Sequence, residues 1–298
     1  MTQPDLYTTY LARLETELKL LPDKPEETPR STLNALWHLA AGTQYSVDKA
    51  DSTPLPELDS NGVDKLEALL TQRLTGMPLA HLTERQQFMQ LEMIAGPGAL
   101  VPRKETELLA GIALELLEGV LQQQPDATVI DVCTGAGNIA LCLAHYHPAA
   151  KVYAADLSED AVALANRNRA HLQLESRVQF QAGDLLAPFA NEGFFGKVDL
   201  LTCNPPYISS GKLDKMPGEI AQHEPQLAFD GGPFGLNIVG RLLKEAPQYL
   251  KPGAWVAFEV GLGQGEPLQK RLSRNPDYKD MKVLHDAEGH IRVLALQV

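Results

Sequence analysis

The chain has 298 residues, room for one large or two ordinary domains, and at 44% hydrophobic and 21% charged it is too apolar for a disordered protein. A formal net charge of −12 with no cluster of Lys and Arg argues against duplex DNA or bulk RNA as a direct ligand, because such binding displaces counterions with clustered cations. No apolar run is long enough to span a bilayer, and Met1-Thr2-Gln3-Pro4-Asp5 lacks the basic-then-apolar pattern of a signal peptide, so a cytoplasmic protein is expected.

Residues 1–83 read as a helical domain. Leu6, Tyr10, Leu11, Leu14 and Leu18 recur at helical spacing, as do Leu33, Leu36, Trp37, Leu39 and Ala40. A Pro- and Asp-rich stretch over 51–60 separates them from Val63, Leu66, Leu69, Leu70 and Leu74, which gives a bundle of about three helices with these stripes as its core. Residues 84–102 change character. Two short runs, 87–93 and 99–101, flank Gly96-Pro97-Gly98 and predict a β-hairpin connector turning at that glycine-proline cluster.

Residues 103–298 form the second domain. Pro102-Arg103-Lys104-Glu105-Thr106-Glu107 opens a helix that runs to about Gln122, its early acids suited to the helix dipole. Strands are then expected at 129–132, 151–155, 178–182, 198–203 and 255–260, with helices starting near Ile139 and Asp160. This alternation predicts an α/β fold with a mostly parallel sheet, and the last two runs, 282–284 and 291–296, predict an antiparallel pair at one edge. Cys133, Cys142 and Cys203 are an odd number without metal-type spacing and read as small buried thiols of a reducing compartment, with no metal site expected.

Chemistry-bearing residues fall at the predicted strand ends. Asp131-Val132-Cys133-Thr134-Gly135-Ala136-Gly137-Asn138 is a glycine-rich turn from strand into helix, of the kind that lets a ligand approach the main chain. Its leading Asp131 suits a cationic amino group and repels a pyrophosphate. Asp156 ends the next strand, where a ribose-hydroxyl acceptor commonly stands. Asp184, after the third, is placed either to accept from an adenine amino group or to cap a short helix from Leu185. Three acids at three successive strand ends fit S-adenosylmethionine better than a nicotinamide dinucleotide. Asn204-Pro205-Pro206-Tyr207 follows the fourth strand. Two prolines cannot continue a central ladder, so the chain leaves the sheet there and presents a carboxamide able to hold a planar nitrogen group.

With these motifs the chain resembles the class I, Rossmann-like methyltransferases that use S-adenosylmethionine, and among them the HemK/PrmC–PrmB family of protein glutamine methyltransferases. The likeness extends over Pro78-Leu79-Ala80-His81-Leu82-Thr83, the Pro102–Glu107 stretch, the glycine loop, Asn204-Pro205-Pro206-Tyr207, His223-Glu224-Pro225, the Gly231–Leu236 loop, and Phe258-Glu259-Val260-Gly261 with Gln264-Gly265. It implies a seven-stranded sheet. It implies cofactor contacts at Asp131, Thr134, Gly135, Ala136 and Gly137 on the first loop, at Asp156, Leu157, Asp184 and Leu185 on the next two, and at Asn204. It further implies that the Asn204 oxygen and the Pro205 carbonyl accept the two hydrogens of a substrate amide, that Pro206, Tyr207 and Arg103 help bind the substrate, and that the helical domain recognises a protein partner. That partner is a release factor, through its Gly-Gly-Gln loop, or a ribosomal protein. Glu224 and Glu259 are read as structural supports. Cys133 and Ala136 stand where many members carry Gly and Ser. These departures keep open a second reading, an enzyme of secondary metabolism acting on a small molecule or on the cofactor itself. Methylation of an adenine amine and a cofactor-binding module without turnover are further alternatives.

Overall fold

The helical spacing of the N-terminal third is realised in α1 (Gln3–Glu17), α2 (Pro29–Ala40), α3 (Val47–Ser52), α4 (Ser60–Leu74) and α5 (Leu79–Thr83) of the computed structural model, which describes residues 2–191 and 193–298. Thr2 and Thr28 start α1 and α2 by accepting a backbone N–H of the first turn, each with a proline early in the helix, where its missing N–H costs nothing. Leu14, Leu33, Leu36, Trp37, Leu66 and Leu70 form the buried core of this bundle. The Trp37 indole still finds a partner, donating to the Pro56 carbonyl at 2.9 Å.

A hairpin follows, β1 (Arg85–Phe88) against β2 (Leu91–Ile94), in antiparallel register. Its turn is Met89-Gln90, both with positive φ (47° and 65°), as a two-residue primed turn requires. The expected turn at Gly96-Pro97-Gly98 is therefore corrected: that cluster lies beyond the hairpin, and 99–101 form no strand. Neither Met nor Gln carries a turn signal, whereas Gly-Pro-Gly does.

Contacts divide the chain into two units. The first contains the helices and the hairpin up to Pro97, and also Val101–Lys104 and Pro217–Glu224, which boundaries at 83 and 102 do not anticipate. Buried charges hold that last segment within the first unit. Glu219 accepts from Lys24 at 2.9 Å and from Arg73 at 2.7 Å, and Arg73 also pairs with Glu27 at 2.8 Å. Glu224 accepts from Arg103 at 2.6 Å.

The second unit contains α6 (Glu107–Leu121), β3 (Ala127–Val132), α7 (Asn138–Tyr146), β4 (Ala150–Asp156), α8 (Glu159–His171), β5 (Val178–Ala182) and β6 (Val198–Cys203). After the one-turn α9 (Gly218–His223) of the first unit, it resumes with α10 (Asn237–Glu245), β7 (Leu250–Glu259), α11 (Gly265–Leu272), β8 (Asp280–His285) and β9 (Ile291–Gln297). The sheet is seven-stranded, in the order β5-β4-β3-β6-β7-β9-β8. The strands β5 to β7 of that order run parallel, and β9 and β8 are the antiparallel pair expected at one edge. Every residue of β6 is buried, which is why it reads as a largely apolar run, with Asp199 and Thr202 as its two polar residues. From β3 the chain steps outward through β4 to β5, then crosses back to β6 on the other side. Such a reversal opens a crevice at the carboxyl ends of the strands, the usual ligand position in open α/β sheets. Among the described residues, no helix is long and apolar enough to cross a membrane.

Candidate active site

The loops leaving β3, β4, β5 and β6 line one cleft. The first contributes Cys133, Thr134, Gly135 and Ala136; the second Asp156 and Leu157; the third Asp184 and Leu185; the fourth Asn204 and Pro206. Thr106, Asn138 and the segment around Leu227 and Asp230 complete the wall. Gly135 has φ 56°, and a side chain there would project into open space, so the loop leaves its backbone bare toward the cleft. Asp156 accepts from the N–H of Gly135 at 2.8 Å and of Ser158 at 2.9 Å, one on each oxygen. Burial raises its carboxyl, and the N–H groups of Ser158, Gly135 and Leu157 pull it back. With three N–H donors on its four lone-pair sites, the carboxylate keeps room for a ligand hydroxyl.

Asp184 lines the cleft as expected, but its Oδ2 also accepts from Arg241 at 2.7 Å. Leu185 has φ 47° and starts no helix, so the capping alternative for Asp184 does not apply. Asn204 donates through Nδ2 to Thr106 Oγ1 at 3.0 Å, and the Thr106 hydroxyl donates to Glu259 at 2.8 Å. This leaves Oδ1 of Asn204 as an acceptor.

Several expected contacts are placed elsewhere. Asp131 does not line the cleft. It is buried under the loop, with one oxygen accepting from Thr134 at 2.5 Å and the other from Thr202 at 2.7 Å. Burial raises its carboxyl to about 6 despite both hydroxyls. Gly137 also faces inward, where a Cβ would press on the Phe180 ring. Pro205 is buried, and Tyr207 packs its ring on Gly261; neither lines the cleft. Burial, then the Glu259 carboxylate, push the Tyr207 phenol far up. Arg103 is no open substrate contact: it is buried in the first unit, paired with Glu224 and, at 2.9 Å, with Asp23. Cys142 and Cys203 are buried thiols, whereas Cys133 is half-buried and faces the cleft.

A methyltransferase small domain model matches residues 111–251. A release factor glutamine methyltransferase of Moorella thermoacetica is 39% identical over 223 residues, 75% of this chain and 76% of that protein. Another, from Rhodopirellula baltica, is 30% identical over 99% of this chain and 98% of its own. The chain belongs to the release factor glutamine methyltransferase family. Among solved structures, the hMettl16 catalytic domain in complex with a 3′UTR hairpin superposes with a TM-score of 0.53 at 16% identity, covering 82% of this chain and 83% of that one, a likeness of fold.

The cofactor of this methyltransferase is S-adenosylmethionine, and the cleft suits it. No Lys or Arg is among the described residues that line it, while Asp156, Asp184 and Asn204 offer acceptors. Asn138 adds a buried Oδ1 with no hydrogen-bond partner among the described residues. An acceptor-rich wall fits a ligand that brings an amino group, ribose hydroxyls, an adenine amine and a positive charge, and offers a pyrophosphate no cation. Sequence reasoning missed Thr106, Thr202, Asn138 and Arg241. Thr106 lies inside the Pro102–Glu107 motif, which marked it only as part of a helix start; Thr202, within an apolar strand, carries no local signal.

Proposed function

We propose that this methyltransferase modifies the side-chain amide nitrogen of a glutamine in a peptide-chain release factor, in the Gly-Gly-Gln loop that the family resemblance implies. The observation that carries this reading is Asn204, at the carboxyl end of β6, with its nitrogen taken by Thr106 and its oxygen left to accept. An amide nitrogen is a poor nucleophile because its lone pair is delocalised into the carbonyl. The Asn204 oxygen accepts one of its hydrogens, holds the nitrogen in line for attack and favours its pyramidal form. Positioning of this kind is worth roughly 7–11 kcal/mol. S-adenosylmethionine supplies the electrophilic methyl group. No strong base is needed beforehand, because the amide proton becomes acidic only as the new N–C bond forms.

Asp156 and Asp184 hold ribose and adenine, with the bare Gly135 backbone beside Asp156. Asp131 acts indirectly, fixing Thr134 and thereby the loop. Tyr207 supports the motif from behind. The helical unit recognises the protein substrate, and a cytoplasmic location follows from that partner.

The test is incubation with methyl-labelled cofactor and purified release factor, followed by peptide mapping. Label on the glutamine of the Gly-Gly-Gln peptide is expected; label on a ribosomal protein or a small molecule instead overturns the substrate assignment. Asn204→Ala should lower kcat roughly 10²- to 10³-fold, the scale seen when one transition-state hydrogen-bonding group is removed. Cofactor affinity should change far less. Undiminished kcat in Asn204→Ala removes Asn204 from the mechanism.

A further inference from the structure

A carboxamide has two ends of nearly equal shape and opposite polarity. If Asn204 is to accept from a substrate NH₂, something must keep its own NH₂ turned away. Packing alone does not distinguish the ends; hydrogen-bond polarity does.

The sheet supplies that polarity. In the parallel register of β6 with β7, Cys203 pairs with Phe258, so the next residues, Asn204 and Glu259, emerge side by side. Val293 of β9 pairs with Glu259, which brings the neighbouring Arg292 to 3.7 Å from its Oε1. Arg292 is also 3.7 Å from Glu105. Burial raises the Glu259 carboxyl and Glu105 adds to that, while the Thr106 hydroxyl, the Arg292 guanidinium and the Tyr207 hydroxyl favour its ionised form. Glu259 is buried, and its other oxygen accepts from Thr106.

We propose that Glu259 and Thr106 are positioning residues that fix the polarity of the Asn204 amide. An ionised carboxylate has no hydrogen to give. The single hydrogen of the Thr106 hydroxyl is therefore committed to Glu259, and toward Asn204 the hydroxyl can only accept. Asn204 must then present Nδ2 to Thr106, at 3.0 Å, and Oδ1 to the substrate. The flipped amide would set oxygen against oxygen at Thr106 and NH₂ against the substrate NH₂. The relay runs in one direction, with Glu259 as its fixed end. This inference rests on the reading of Asn204 as the acceptor of a substrate amide.

Thr106→Val keeps the shape and removes the hydroxyl; Thr106→Ser restores it. In the full chain, with release factor as substrate, Thr106→Val is expected to lower kcat roughly 10- to 100-fold, the scale of a misplaced catalytic contact. KM and cofactor affinity should stay within a few-fold, and Thr106→Ser should recover most of the loss. Undiminished kcat in Thr106→Val overturns the relay. If that variant loses cofactor binding, Glu259→Gln carries the same test, since a carboxamide can donate to Thr106 and release the constraint; undiminished kcat there is equally fatal. A readout independent of turnover separates this idea from the substrate assignment. The side-chain amide protons of Asn204, followed by ¹⁵N NMR, should exchange slowly in the wild type and faster in Thr106→Val. Equal exchange in both proteins overturns the relay whatever the substrate proves to be. Slow exchange lost in Thr106→Val, in a protein that does not methylate release factor, keeps the relay and removes the substrate.

Discussion

Asp131 carries two threonine hydroxyls, one from its own loop and one from the adjacent strand β6, and still has a carboxyl raised to about 6 from an ordinary 3.8. Burial outweighs the hydrogen bonds. Between about pH 4 and pH 6 the folded state holds a proton that the unfolded chain has released, so stability falls as pH rises through this window. The contribution is complete below about pH 4 and lost above about pH 6. Asp131→Asn cannot ionise. Relative to wild type it should gain about 2 kcal/mol between pH 4 and pH 7, read as the change in the difference of urea unfolding free energies. A difference that stays constant across that range would show that Asp131 ionises normally. The sequence placed this acid at a strand end correctly. Its partners Thr134 and Thr202 lie 3 and 71 residues away, and only the second, supplied by the neighbouring strand, closes it off.

The loop after the Asn-Pro-Pro-Tyr segment shows the same dependence for an element. Gln264 accepts from the Gly261 N–H at 2.9 Å and donates to the Tyr207 carbonyl at 2.9 Å, tying α11 to the segment that ends β6. Gly235 has φ 69°, and a Cβ there would overlap the Tyr207 carbonyl oxygen, a backbone atom that cannot rotate aside. Gly235→Ala must move either its own loop or the backbone that carries Asn204. Methyl transfer should fall at least about tenfold with the far-ultraviolet circular dichroism spectrum retained, and full activity would show the loop to be independent of the motif. The strands themselves were legible because buried parallel strands are largely apolar, as in Val198–Cys203, where Asp199 and Thr202 are the polar exceptions. The hairpin turn was not, because Met89 and Gln90 adopt left-handed angles without the Asn or Gly that normally announces them.

At the scale of the whole molecule, sequence order and spatial unit part company. Pro217–Glu224 lies between β6 and β7 in the chain yet belongs to the helical unit, where Glu219 and Glu224 neutralise Lys24, Arg73 and Arg103. A fragment ending at Pro97 keeps the bundle core but leaves Lys24 and Arg73 with Glu27 as their remaining carboxylate in this network. Breaking a buried pair costs about 3–5 kcal/mol, a large share of a small domain's stability. The fragment should therefore lack a cooperative thermal transition near that of the full chain; one as sharp and as high would show the insertion to be dispensable. The sequence by itself determined the order of the parallel strands, the edge pair, and the placing of Asp156, Asp184 and Asn204 at strand ends, because periodicity and chain-breaking residues are local properties; of the five N-terminal helices it marked three, the short α3 and α5 carrying no such stripe. Only the tertiary structure decided which polar atoms meet the cleft. It turned Asp131 inward, took Arg103 into an ion pair, and gave the Asn204 nitrogen to Thr106. Those outcomes depend on partners 71 to 121 residues away in the chain, and no local pattern encodes them.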